Sequence, residues 1–372
     1  MEKIRVMTVF GTRPEGIKMA PIVKAMEDVE EIENIVCVTA QHREMLDQVL
    51  DIFKIKPDYD LDIFKPGQSL TEITTKGLEG LEEIIIKTKP DLLLVQGDTT
   101  TVFAGALAAF YQKVKVGHVE AGLRSGNIYS PYPEEANRKL TGIVTNYHFA
   151  PTNESRENLL KEGYPEEKIF ITGNTVIDAL FHVVKENYVF KDELLNNIDF
   201  ENKRVILLTS HRRENIGSPM ENIFNAVDEI TKKYDDVEVV FPVHLNPKVR
   251  NIANKVFDGN NNVHLIEPLD YEPFTNLMAK AHIVVTDSGG LQEEAPSLGK
   301  PVLVVRKETE RPEGISAGTA RLVGTIKENI FNELDLLLSS ENEYNNMANA
   351  VNPYGDGKAS QRIVQIILEQ FK

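Results

Sequence analysis

The chain has 372 residues, 41% of them hydrophobic and 26% charged, which suggests two or three domains, each able to bury its own core. Its 23 Gly and 18 Pro are ordinary frequencies and exclude collagen-like and disordered chains. Lys and Arg number 41 against 57 Asp and Glu, and the resulting net charge of −16 argues against nucleic-acid or membrane-surface binding.

The first strand is expected at 4–10, directly behind an N-terminus with no signal-peptide pattern. No run reaches the roughly 18 apolar residues of a membrane span, so a cytoplasmic protein is expected. A helix follows at 15–26 and a strand at 35–39. The single cysteine, Cys37, permits no disulfide and reads as a buried strand residue rather than a nucleophile. The triplets 58–60 and 60–62 mimic an Asp-x-Asp metal motif but follow Pro57 in a polar connection, and read as solvated charge. No histidine spacing suggests a metal ligand set. A helix at 70–87, strands at 92–96 and 114–118, a helix at 134–145 and a strand at 148–150 complete the first half. In the second half, strands at 205–209, 237–243, 263–266, 283–286 and 301–305 alternate with helices such as 220–233 and 271–280. Near-continuous Val/Ile/Leu strands between amphipathic helices predict parallel sheets covered on both faces. A polar stretch near 185–203 divides them into two doubly wound α/β domains. At the end, Ile363, Val364, Ile367, Leu368 and Phe371 form a helical stripe after a turn-rich segment, and such a helix can return to the first domain. The expected domains are 1–174 with 356–372, and 175–355.

Open parallel sheets bind ligands at the carboxyl ends of their strands, where strand order reverses. The turn Gly11-Thr12-Arg13-Pro14-Glu15-Gly16-Ile17-Lys18 follows the first strand. Its helix-start amides, with Arg13 and Lys18, favour an anion, although Ile17 and Met19 break the nucleotide-triphosphate loop pattern. Asp98 follows the strand 92–96, Glu120 the strand 114–118, and Glu134 opens a helix. Asp98 and Glu134 can each be read as an ordinary helix-start acid, but three acids on neighbouring strand-end loops point to acid/base chemistry. In the second half, 209–215 brings His211, Arg212 and Arg213 to a strand end. Ser288, Gly289 and Gly290 open a helix that can hold a phosphate by its amides, with Glu294 one turn on for ribose hydroxyls and Arg311 nearby for an anion.

The segments 11–15, 96–99, 118–124, 133–138, 211–215 and 287–296, standing in one order, closely resemble the non-hydrolysing UDP-N-acetylglucosamine 2-epimerases, over essentially the whole chain. The resemblance implies two Rossmann-like domains of the glycosyltransferase-B type with an interdomain cleft and a C-terminal helix crossing back. It also implies interconversion of UDP-N-acetylglucosamine and UDP-N-acetylmannosamine through enzyme-bound 2-acetamidoglucal, supplying N-acetylmannosamine units for polysaccharide or glycan synthesis. No cofactor or metal is implied, and a homodimer is. Matched positions assign UDP binding to Arg13, Lys18, His211, Phe274, Ser288, Gly289, Gly290, Glu294 and Arg311. They assign acid/base steps to Asp98, Glu120 and Glu134, with His211 near the departing phosphate. One departure is Gly67, where many members carry the arginine of an activating substrate site; Gln41, His42 and Gln48 otherwise suit that site, and without the guanidinium no such activation is expected. A hydrolysing epimerase, a UDP-sugar transferase and a non-catalytic nucleotide-sugar sensor are the rival readings.

Overall fold

The computed structural model describes residues 3–41 and 43–372; His42 lies outside them. The chain forms two compact units, Met1–His182 with Tyr354–Lys372, and Val183–Pro353.

In the first unit the strands are β1 (Ile4–Phe10), β2 (Ile32–Val38), β3 (Tyr59–Asp60), β4 (Leu92–Gln96), β5 (Lys115–Val119), β6 (Tyr147–Ala150) and β7 (Ile169–Ile171). They pair in parallel in the order β3-β2-β1-β4-β5-β6-β7. The second unit holds β8 (Arg204–Thr209), β9 (Val237–Pro242), β10 (Val263–Ile266), β11 (Ile283–Thr286), β12 (Val302–Val304) and β13 (Ala320–Leu322). These are also parallel, in the order β10-β9-β8-β11-β12-β13. Strand order therefore reverses between β1 and β4 and again between β8 and β11. All ten expected strands are present. The three additional ones, β3, β7 and β13, are two or three residues long and lie at sheet edges, where so short a run leaves no apolar pattern to read.

The central strands are dry. Leu92, Leu93, Leu94 and Val95 are wholly buried, as are Ile206, Leu207 and Leu208, each side chain contributing about 1.5–3 kcal/mol. Helix Thr100–Tyr111 packs between helices Leu70–Thr88 and Glu134–Val144 and turns Ala104, Gly105, Ala106, Ala108 and Ala109 inward. Small residues let it lie close to the sheet: a Cβ on Gly105 would stand 3.3 Å from Val95.

The helix Thr175–Val183 lies with the first unit as far as His182, whereas the expected boundary fell just before the helix. The buried Asp178 carboxylate on it accepts hydrogen bonds from the amides of Ala359 (3.1 Å) and Ser360 (2.8 Å). Those two amides open the terminal helix Ala359–Gln370, which packs on helix Arg13–Glu27. Asp58 and Asp60 finish the sheet edge: Asp58 accepts the Val36 amide at 2.8 Å and Asp60 pairs with Arg43. Burial in β2 pushes the Cys37 thiol up to about 12, so it is no nucleophile at neutral pH.

Candidate active site

In the first unit the turn after β1 starts helix Arg13–Glu27. Glu15, only 2% exposed, folds back so that one carboxylate oxygen accepts the amides of Gly11 (2.6 Å) and Thr12 (2.9 Å). The other accepts the Thr99 hydroxyl from the turn after β4. Burial pushes the Glu15 carboxyl up to about 6, against the pull of these donors and with help from Asp98. Part of the main chain expected to meet an anion is thereby taken up. The Gly11 and Thr12 amides are already engaged by Glu15, and Pro14 has no amide hydrogen to give. Arg13 is half-buried and makes no hydrogen bond or ion pair within the described residues. Gly11 has no room for a side chain, since a Cβ there would meet Thr39 Oγ1 at 1.9 Å. That hydroxyl lies 3.0 Å from the hydroxyl of Thr101, so the turns after β1, β2 and β4 are stitched together.

Glu120 follows β5 with φ +62°, in the left-handed region that costs an ordinary side chain about 1–2 kcal/mol. The turn drives its carboxylate inward to 8% exposure. Lys18 Nζ reaches both oxygens at 2.6 Å, Asn174 Nδ2 donates at 3.2 Å, and Gln96 Nε2 donates from the end of β4. Lys18, expected to meet the ligand, is thus turned toward this carboxylate. Behind the two turns His118 contacts the Gly97 carbonyl at 2.7 Å, and burial lowers its pKa to about 4, so it is a neutral packing element.

Asp98 receives Arg138 Nε at 2.9 Å and Nη2 at 2.6 Å on one oxygen, while Asn137 Nδ2 donates to its backbone carbonyl at 2.9 Å. Both donors stand on helix Glu134–Val144. Glu134 opens that helix one turn before Arg138, half-buried and without a hydrogen bond or ion pair among the described residues. Glu135 beside it is fully buried and braces the approach by accepting the amides of Ser125 and Gly126. The structure therefore gathers Asp98, Glu120 and the start of the Glu134 helix at the ends of β4 and β5.

In the second unit the turns after β8 and β11 meet at the strand reversal. Asp287 is wholly buried, and its carboxylate accepts the Ser210 hydroxyl (3.0 Å), the His211 amide (2.9 Å), the Arg212 amide (3.0 Å) and Asn215 Nδ2 (3.2 Å). This wiring fixes His211, whose ring lies 5.6 Å from that of His244 in a stacked arrangement. Burial lowers the His211 pKa, with Asp287 opposing, so its imidazole is neutral at pH 7. Ser288 precedes helix Gly289–Ser297 and makes no side-chain cap hydrogen bond, and Gly290 is exposed, which leaves this helix start an uncapped dipole end. A cavity of about 220 Å³ is lined by Thr209, Ser210, His211, Pro242, His244, Pro268, Leu269, Phe274, Ser288 and Leu291. Glu294 Oε1 would stand 3.2 Å from a Cβ on Gly290, close to this helix start. Burial first and Glu294 second raise the Tyr271 hydroxyl pKa. Arg311 pairs with the buried Glu293.

The family model described as UDP-N-acetylglucosamine 2-epimerase matches residues 24–368. The chain belongs to that epimerase family. A UDP-N-acetylglucosamine 2-epimerase of Bacillus subtilis is 57% identical over 371 residues, covering 100% of this chain and 97% of the relative. That of Escherichia coli K12 is 56% identical over 369 residues, covering 98% of each. The Neisseria meningitidis UDP-GlcNAc 2-epimerase, solved bound to UDP-GlcNAc, is 52% identical with a TM-score of 0.85, covering 98% of this chain and 100% of that one. A Rickettsia africae glycosyltransferase at 15% identity and a TM-score of 0.67, covering 100% of both chains, shares the fold, in keeping with the glycosyltransferase-B type. Within this epimerase-family chain, the motifs contained Glu15, Gln96, Arg138 and Asp287 without a role for any of them, and Asn174 lay outside them. Glu15 had a usable signal, an acid three residues after a Thr cap. Asn174 had none, because it reaches Glu120 from 54 residues away.

Proposed function

We propose that this chain interconverts UDP-N-acetylglucosamine and UDP-N-acetylmannosamine by a non-hydrolysing route. A carboxylate of the first unit takes the C2 proton, the C1–O bond to UDP breaks, and the electron pair forms the C1=C2 bond of 2-acetamidoglucal. A second acid then returns a proton to C2 from the other face as the UDP oxygen re-adds to C1. Asp98 and Glu120 are assigned to the C2 proton, and Glu134 to the second face or neighbouring hydroxyls. Well-placed groups of this kind contribute about 10²–10⁴-fold. In the second unit, Phe274 and the cavity walls receive the base, Glu294 the ribose, and Ser288 with the Gly289 and Gly290 amides the pyrophosphate. Neutral His211 donates a hydrogen bond to the departing phosphate, and Arg13 and Arg311 add positive charge.

The observation that carries this reading is Glu120, a carboxylate held in a strained backbone and oriented by three side chains, with Asp98 on the adjacent turn. Such an arrangement suits proton transfer and has no use in a sensor. Incubation with UDP-N-acetylglucosamine in heavy water tests it by NMR. UDP-N-acetylmannosamine bearing deuterium at C2, with little free sugar, is the expected product. Stoichiometric free N-acetylmannosamine indicates a hydrolysing enzyme, acceptor dependence a transferase, and no turnover a sensor. We further read the protein as a homodimer that supplies N-acetylmannosamine units for glycan synthesis. Tyr111 (57% exposed) and Ile143 (71% exposed) lie on adjacent helices as apolar surface for a second copy, and light scattering of the intact chain checks this.

A further inference from the structure

The capping role of Glu15 uses only half of its carboxylate. Oε2 alone satisfies the Gly11 and Thr12 amides, and a helix start needs no more. Oε1 is spent on a different element, the hydroxyl of Thr99, 84 residues further along the chain. Thr99 is the residue after Asp98 and the N-cap of helix Thr100–Tyr111. Asp98 is already gripped from one side by Arg138 and Asn137. The Glu15–Thr99 bond supplies a second grip, on the next residue, reaching across the strand reversal from the turn that carries Arg13. A buried carboxylate whose bonded partners here are two amides and a hydroxyl is an expensive way to cap one helix.

We propose that Glu15 is a positioning residue for Asp98: its second oxygen locks the turn after β4 to the turn after β1, so that Asp98 is held between two anchors while a proton moves. This rests on the reading of Asp98 as a proton-transfer group. Geometry gives the link a distinctive substitution pattern. In Glu15→Gln the amide oxygen can still accept both backbone hydrogens, and the amide NH₂ can donate to Thr99, so the link survives with its direction reversed. Thr99→Ser keeps the hydroxyl, whereas Glu15→Ala and Thr99→Val remove the link from either end.

Steady-state epimerisation by the full-length chain tests this, with Asp98→Asn as reference and thermal unfolding recorded for each variant. Glu15→Ala and Thr99→Val are expected to lower kcat about 10-fold or more with KM changed less than about threefold, while Glu15→Gln and Thr99→Ser stay within about threefold of the parent. The double variant Glu15→Ala/Thr99→Val is expected to be no slower than the worse single, because both cut one bond. Full kcat in folded Thr99→Val, or losses that multiply in the double variant, overturns the proposal. If Glu15→Ala does not fold, the Thr99→Val and Thr99→Ser pair decides alone. Should Asp98→Asn keep the parental rate of deuterium entry at C2, the assignment of Asp98 fails instead, and the two failures are told apart.

Discussion

Replacing Glu15 by Gln makes a quantitative test of how dry this corner of the first unit is. The carboxyl stands at about 6 in the folded chain against an ordinary 4.5, a difference worth about 2 kcal/mol. The group is fully buried, so solvent screening does not discount it. Because the folded value is raised, the unfolded chain ionises first as pH climbs. Glu15 therefore costs nothing below about 4.5, where both states are protonated, and its full penalty applies above about 6. Glutamine fills the same space and never ionises. The stability difference between the variant and the parent should then change by about 2 kcal/mol in the variant's favour between pH 4.5 and 7, whatever its constant offset. For a first unit of roughly 200 residues that corresponds to about 4–8 °C in its melting midpoint. Scanning calorimetry of both proteins at four or five pH values reads it directly. A difference that stays flat with pH means that the three donors fully offset burial, and the argument from desolvation is wrong.

The other predictions concern fixed points of the two sites. Glu120→Gln should suppress solvent deuterium incorporation at C2 of UDP-N-acetylglucosamine; undiminished exchange would remove Glu120 from proton transfer. Asp287→Ala leaves four donors around an empty acceptor position and should destabilise the second unit by about 3–5 kcal/mol, read from its denaturation midpoint. Asp287→Asn keeps one acceptor and most of the fold, and calorimetric titration with UDP should show weakened binding, because the His211 turn is no longer held. Gly122→Ala puts a Cβ 2.2 Å from the backbone oxygen of Ser155 at φ +93°, and neither the clash nor the strain can relax. A loss of about 3–4 kcal/mol is expected, visible as a melting point lowered by roughly 10 °C.

The sheet architecture was legible because parallel strands covered on both faces, such as 92–96, spell out unbroken apolar runs. The edge strands were not: Tyr59–Asp60 is held by the amide-accepting Asp58 and the Arg43–Asp60 pair, neither of which leaves a periodic trace. Strand-end positions were equally readable, so Asp98, Glu120, His211 and Ser288 stand at loop ends. What each side chain does there was not. Lys18 stands where charge and the matched positions put a phosphate ligand, and its contact with a carboxylate 102 residues away left no trace in the sequence. The amides after β1 looked open only because the Thr12–Glu15 capping spacing, which was there to be read, was not used.

The two strand–turn–helix corners use one backbone device in contrary ways. After β1 the chain supplies its own negative group to the turn's amides; after β11 no carboxylate among the described residues does so. The β11 corner therefore keeps a helix start available to an anion, whereas the β1 corner offers the Arg13 side chain. A ligand of the first unit would gain little main-chain recognition by elaboration toward Gly11, whereas one presenting hydroxyl or ammonium groups to the carboxylates after β4 and β5 would address that unit's acids.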